Sequence, residues 1–259
     1  MKTVTLIPGD GAGRELAESA RRVIDASGAK LQWDVVDPDD LERAVTSIRK
    51  TRAGLLGTSR VADSLKEALD LFLTVVPCRT IEGIPTQPPG VEFDLAVLVA
   101  REATERDSCE RVAHAAFTYA AMHARRKVTL VRGPGEQTLL EATADAARNY
   151  PQIGFEDRAF VGGADLAAEL DVILCAGVPM AESFVALAGG VVPKVWMGEQ
   201  VALFGGDGLA SMALASSLFL EYLNEAQASE RVRRATEQAL AEGPNVTIEA
   251  ILAALPRRV

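Results

Sequence analysis

The residues best placed for chemistry come near the start of the chain. Pro8-Gly9-Asp10-Gly11-Ala12-Gly13 follows the apolar run Val4–Ile7, and a helical pattern follows in turn. A strand, a glycine turn and a helix start leave backbone N–H groups free, a common cradle for a phosphate or a ribose. Asp10, Gly11 and Gly13 are therefore candidate ligand-binding residues. Asp10 has two readings: a contact to a ribose, or a bond to its own backbone, as Asp often makes in glycine-rich turns. Gly9, Gly11 and Gly13 alternate and do not form G-x-G-x-x-G, so the dinucleotide fingerprint is discounted. Other candidates are fewer. His114 and His123 lie nine residues apart on one helical pattern, on roughly opposite sides, which argues against a joint metal site. Ser183 sits in E-S-F-V, outside the G-x-S-x-G setting of a nucleophile. Gly205-Gly206-Asp207-Gly208 before a helix reads either as an anion turn or as a shortened connection.

The elements that must position these residues alternate between strand and helix. Strands are predicted at Val4–Ile7, Leu31–Val36, Ala53–Leu56, Leu73–Cys78, Phe93–Ala100, Lys127–Val131, Phe155–Val161, Val172–Cys175 and Gln200–Phe204. Helical spacing covers Arg14–Ser27, a stretch opened by Asp37-Pro38-Asp39 and running to about Lys50, Ala62–Phe72, Ser108–Ala124, Thr138–Asn149 and Met180–Ala188. A helical tail follows over Leu209–Ala226, Ser229–Ala241 and Thr247–Leu255, with Glu242-Gly243-Pro244 as a break and Thr247 as a cap. Glu82–Gly90, rich in proline, is a loop. The alternation predicts an α/β fold with a mixed or mostly parallel sheet flanked by helices.

Totals set the outer limits. The 259 residues allow one large α/β domain or two small ones, and 48% hydrophobic residues is ordinary for a packed protein. A net charge of −9 without a dense basic stripe argues against nucleic acid or an anionic membrane as partner. Cys78, Cys109 and Cys175 are far apart and odd in number, and read as buried free thiols of a reducing compartment. No apolar run is long enough to span a bilayer, and a cytoplasmic protein is expected.

Several segments, in order, resemble one family. T-L-I-P-G-D-G-A-G-R-E-L is similar to the opening of the isocitrate and isopropylmalate dehydrogenases, the metal-dependent β-decarboxylating dehydrogenases. Leu65-Lys66-Glu67-Ala68-Leu69-Asp70-Leu71-Phe72 with Pro77 resembles its L-R-x-x-L-x-L-Y-A-N-x-R-P piece, and Arg101-Glu102-Ala103-Thr104-Glu105 its R-E-N-T-E. Arg125-Arg126-Lys127-Val128-Thr129, Tyr150-Pro151 with Phe155-Glu156-Asp157, Asp171-Val172-Ile173 and Ala202-Leu203-Phe204 continue the match. The resemblance implies a shortened isocitrate/isopropylmalate dehydrogenase-like fold with two interleaved parts, 1–92 with 205–259 (cofactor side) and 93–204 (dimerisation side). It also implies a homodimer, through Leu209–Leu223 or the stretch from Phe155 to Ala188.

The family's chemistry needs a divalent cation held by carboxylates, arginines on the substrate carboxylates, and a lysine and a tyrosine to move protons. Matched position by position, most of these groups are replaced. Lys66 stands nearest the first substrate arginine, Val76 at the arginine and Thr74 at the asparagine of the N-x-R-P piece. Arg101 is retained, as an anion contact or as an ion pair with Glu102 or Glu105. The tyrosine is missing, Gly133 falls near the catalytic lysine, and Ala181 and Val185 fall near the metal aspartates. The adenine-binding loop beyond Phe204 is absent. The expectation is a non-catalytic homologue acting as a regulatory, scaffold or assembly protein, with no catalytic residue, no metal and no cofactor. One alternative is a ligand sensor using Asp10, Gly11, Gly13, Lys66 and Arg101. Another is an active dehydrogenase with relocated groups, using NAD or NADP with Mg²⁺ or Mn²⁺. A protein partner fits the first reading.

Overall fold

The structure, a computed structural model, describes residues 1–101, 103–160, 170–243 and 245–256. In chain order its elements are β1 (Lys2–Ile7), α1 (Ala12–Ser27), β2 (Leu31–Val35), α2 (Leu41–Thr51), β3 (Ala53–Leu56), α3 (Ala62–Ala68), β4 (Leu73–Arg79), β5 (Asp94–Ala100), α4 (Arg106–Met122) and β6 (Lys127–Arg132). They continue with α5 (Gln137–Ala147), β7 (Gly154–Ala159), β8 (Val172–Cys175), α6 (Val178–Leu187), β9 (Lys194–Met197), β10 (Ala202–Gly205), α7 (Leu209–Tyr222), α8 (Ala226–Ala241) and α9 (Ile248–Ala254). This is the α/β alternation that the apolar periodicity predicts. Val161, Glu102 and Pro244 of the predicted segments lie outside the described residues.

The chain packs as two units. Unit 1 holds Met1–Leu71, Ile81–Ile84 and the chain from Val191 on; unit 2 holds Phe72–Thr80 and Pro85–Gly190. Three stretches fall across the expected boundaries: 72–80, with β4, and 85–92 group with unit 2, and 191–204, with β9, groups with unit 1.

In unit 1 the strands run β2-β1-β3-β10-β9, parallel except for β9, which is antiparallel to β10. Val4, Leu6, Ile7 and Leu55 are fully buried, as expected of parallel strands covered on both faces. On α1, Ala17, Ala20, Val23 and Ile24 bury one face, and Gly28 ends the helix in the left-handed region at φ 97°. α2 starts later than its acidic opening suggests. The Asp39 N–H donates to Asp37 Oδ1 at 2.9 Å, which makes a turn, and Asp40 is the cap, accepting from the Arg43 N–H at 3.1 Å. The predicted helix from Leu209 ends at Tyr222 instead of Ala226, because Asn224 turns left-handed at φ 58°, and α8 begins at Ala226. α7 is buried on almost every side, with Met212, Ala215, Ser216, Phe219 and Leu220 all at 0% exposure. Its all-round apolarity is thus used inside unit 1, which corrects its reading as a dimerisation face. β9 was not predicted; its four residues are too few for a period of two to register.

In unit 2 the order is β4-β5-β8-β6-β7, with β4 antiparallel to β5 and the rest parallel. β5 is an inner strand, and its Ala96, Val97 and Leu98 are fully buried. The predicted face of α4, Val112, Ala116, Phe117 and Ala120, is fully buried. Phe117 stacks on Tyr150 with centroids 5.4 Å apart. β7 ends the order and is charged: Glu156 pairs with Lys127, and Asp157 with Arg132. Charge on an outer strand discourages pairing with another chain.

Candidate functional site

In unit 1 the chain passes from β1 outwards to β2, then back across β1 to β3. Strand order reverses between β1 and β3, and in open α/β sheets the crevice beyond the carboxyl ends at such a point is the usual ligand site. β1 and β3 end in register, Ile7 opposite Leu56, so the loops 8–11 and 57–61 leave side by side. Asp10 and Gly11 stand on the first of these loops, and Gly13 in the first turn of α1.

The two loops touch directly. The Asp10 N–H donates to the Thr58 carbonyl at 2.9 Å, and the Gly57 N–H to the Ile7 carbonyl at 2.9 Å. A Cβ on Gly13 would lie 2.1 Å from the Thr58 carbonyl oxygen, and one on Gly9 2.5 Å from the same atom. Only glycine permits this approach. Gly11 has φ 49° and ψ −121°, a conformation closed to side chains, although nothing stands within 4 Å of where its Cβ would be. The glycine pattern is thus accounted for by the contact between two loops.

Asp10 is tied into the same contact. Its carboxylate accepts from the Arg60 N–H at 3.0 Å and from the Ser59 hydroxyl at 3.3 Å. The Arg60 N–H holds it below the usual carboxylate range against partial burial, helped by Ser59 and by the charges of Arg60 and Arg14. The Arg60 guanidinium reaches the other way, and its Nη2 donates to both Asp39 carboxylate oxygens, at 2.7 and 2.9 Å. Arg60 thereby links the loops that follow β1, β2 and β3. The sequence held no signal for this role, because a lone arginine after a turn has no pattern.

Lys66, on α3 in the same unit, is also engaged. Its ammonium lies 3.1 Å from Asp63 and 4.6 Å from the centre of the Trp196 ring, with 17% of the side chain exposed. Trp196 comes from the unpredicted strand β9. Arg101 belongs to unit 2, directly after β5, where its N–H donates to the Phe72 carbonyl at 2.9 Å. Glu105 offers its carbonyl to the Ser108 hydroxyl and the Cys109 N–H at the start of α4.

The positions that the resemblance assigns to catalysis carry other chemistry. Gly133 donates its N–H to Glu136 Oε2 at 3.1 Å. Ala181 is buried at 5% exposure on α6, and Val76 at 4% in β4. Among the described residues no three His, Cys, Asp or Glu stand together to hold a metal ion. The Ser183 hydroxyl donates to the Pro179 carbonyl within its own helix. The three cysteines are buried and free; burial pushes the Cys78 and Cys175 thiols up to about 12. Gly205-Gly206-Asp207-Gly208 is a tight connection. A Cβ on Gly206 would lie 2.4 Å from the Ser211 carbonyl carbon, and Asp207 pairs with Lys194.

No family model matches the chain. It is 31% identical over 196 residues to a regulatory subunit of the mitochondrial NAD isocitrate dehydrogenase of Dictyostelium discoideum, a match spanning 60% of this chain and 54% of that protein. It is 25% identical over 307 positions to the 3-isopropylmalate dehydrogenase of Archaeoglobus fulgidus, covering 94% of this chain and 93% of that enzyme. With 259 residues to set against 307 positions, at least 48 of them are gaps within this chain, so the shortening is internal. The crystal structure of isocitrate dehydrogenase from Methylococcus capsulatus superposes with a TM-score of 0.83 at 25% identity, each chain covering nearly all of the other (98% and 99%).

Proposed function

We propose that this shortened relative of the isocitrate and isopropylmalate dehydrogenases is a non-catalytic member, acting in regulation or assembly. One observation carries the reading. The described residues offer no cluster of three metal-ligating side chains, and Gly133, Ala181 and Val185 stand where the resemblance puts the lysine and the metal aspartates. Oxidative decarboxylation develops negative charge on a substrate oxygen, and without a cation and a proton donor nothing remains to stabilise it. The likeness to a protein whose name is that of a regulatory subunit favours the same class.

The test is turnover. Purified chain with isocitrate or isopropylmalate, NAD or NADP, and Mg²⁺ or Mn²⁺ is expected to reduce no cofactor above the blank. Metal-dependent reduction would overturn the reading and support the alternative, an active dehydrogenase with relocated groups. That alternative draws on the M. capsulatus structure, whose extent matches this chain. Mixing the chain with a catalytic relative from the same cell is expected to change that enzyme's kcat or KM. A homodimer belongs to this proposal, with α6 as its contact: Val178 is 60% exposed and the helix is apolar on most sides. A cytoplasmic location belongs to it too. Among the described residues, no helix is long and apolar enough to cross a membrane.

A further inference from the structure

Unit 2 has an open depression of about 630 Å³ at the amino ends of β5, β6 and β8. We propose that it binds small polyanions, compounds with two or more phosphate or carboxylate groups, through the guanidinium groups of Arg79 and Arg126. Four permanent cations line it, Arg79, Arg125, Arg126 and Lys127, against two carboxylates, Asp94 and Asp171. That is a local positive balance on a chain of net charge −9.

The two carboxylates are already committed. Asp171 accepts from Arg125 at 3.1 Å and from the backbone N–H groups of Arg126 and Lys127. Asp94 accepts from Arg125 at 2.7 Å. Arg125, held by both and only 17% exposed, is the buttress of the wall. Lys127 turns its ammonium to Glu156 at 3.1 Å. Arg79 is 55% exposed and meets Asp94 only at 3.7 Å. Arg126 is exposed and forms no ion pair among the described residues. Two planar forks thus face one depression with little competing negative charge, the arrangement that grips oxyanions. The volume suits a ligand of nucleotide or tricarboxylate size. The amino ends of parallel strands lie opposite the carboxyl ends where α/β proteins carry out chemistry, so the site is suited to regulation.

The experiment is calorimetry on the full chain at about 50 mM salt, where phosphate-type contacts are not yet screened out. The probes are pyrophosphate, ATP and citrate. At least one is expected to bind one to one, and the Arg79→Ala/Arg126→Ala variant is expected to weaken it at least tenfold. Lys30→Ala removes one exposed charge in unit 1, away from either site, and is expected to change nothing. Binding of pyrophosphate and ATP without citrate assigns the site to phosphates; citrate alone assigns it to carboxylates. Absence of heat from every probe overturns the proposal. So does equal binding by the double variant, or an equal loss in Lys30→Ala. Both arginines are exposed, so the variant is expected to melt like the parent; if it does not, Arg126→Glu alone is the test, with the same outcomes. Turnover in the dehydrogenase assay would leave this inference standing, because it uses none of the same residues.

Discussion

Gly13 shows how little of a motif's meaning lies in its letters. Its glycine is required because the Thr58 carbonyl stands 2.1 Å from where a Cβ would be. Gly13→Ala must push two backbones apart and is expected to destabilise by about 1–3 kcal/mol, in the range of overpacking. Gly133 stands at the old lysine position with no Cβ contact closer than 3.8 Å, and Gly133→Ala is expected to stay within about 0.5 kcal/mol. Urea midpoints at unchanged slope measure both; equal effects would mean that the loops separate freely. The thiols give a second prediction at this scale. Cys78 and Cys175 are fully buried with thiols pushed up to about 12, so at pH 8 neither is ionised or reachable. A disulfide reagent is expected to modify them only after unfolding, and reaction of the folded chain within minutes would contradict the packing.

At the scale of elements, α4, β5, β6 and β8 meet at a charged corner. Burial alone would raise Asp94, but the hydrogen bond and charge of Arg125, with Arg79, outweigh it and leave Asp94 lowered. Glu156 is lowered chiefly by Arg158, and Asp145 chiefly by Arg106. These carboxylates are lower in the fold than in the unfolded chain. Below the unfolded value of about 4, the unfolded chain takes up protons that the fold refuses, so their contribution is full above that value and lost as pH falls through the folded one. The melting temperature is expected to fall as pH drops below about 4. Arg125→Ala is expected to lower it at pH 7 and to make the acid fall shallower. An unchanged acid slope in the variant would show that this corner does not carry the effect.

At the scale of the whole molecule, α7 and α6 show how burial redirects apolar helices. Both read as apolar on most sides, yet α7 is enclosed within unit 1 while α6 leaves Val178 outside. Light scattering is expected to give twice the mass of one chain, and Val178→Glu is expected to shift it toward one. A monomeric parent would remove α6 as an interface.

Much of this molecule was legible in its residue order. The strands β1, β3, β5 and β8 are short apolar runs between turn residues, and α1 and α4 have faces at helical spacing, so local periodicity specifies them. The lineage was legible too, because colinear segments persist where the core needs them. Tertiary structure alone decided the rest. Residues 10 and 60 are fifty positions apart, and only parallel pairing of β1 with β3 brings the Asp10 carboxylate to the Arg60 N–H. Only packing shows that Gly9 and Gly13 serve a neighbouring loop, and that Lys66 rests on Trp196 of an unforeseen strand. Contacts between distant segments leave no local period, so only the fold decided which glycines of the turn are needed for close packing against the loop after β3.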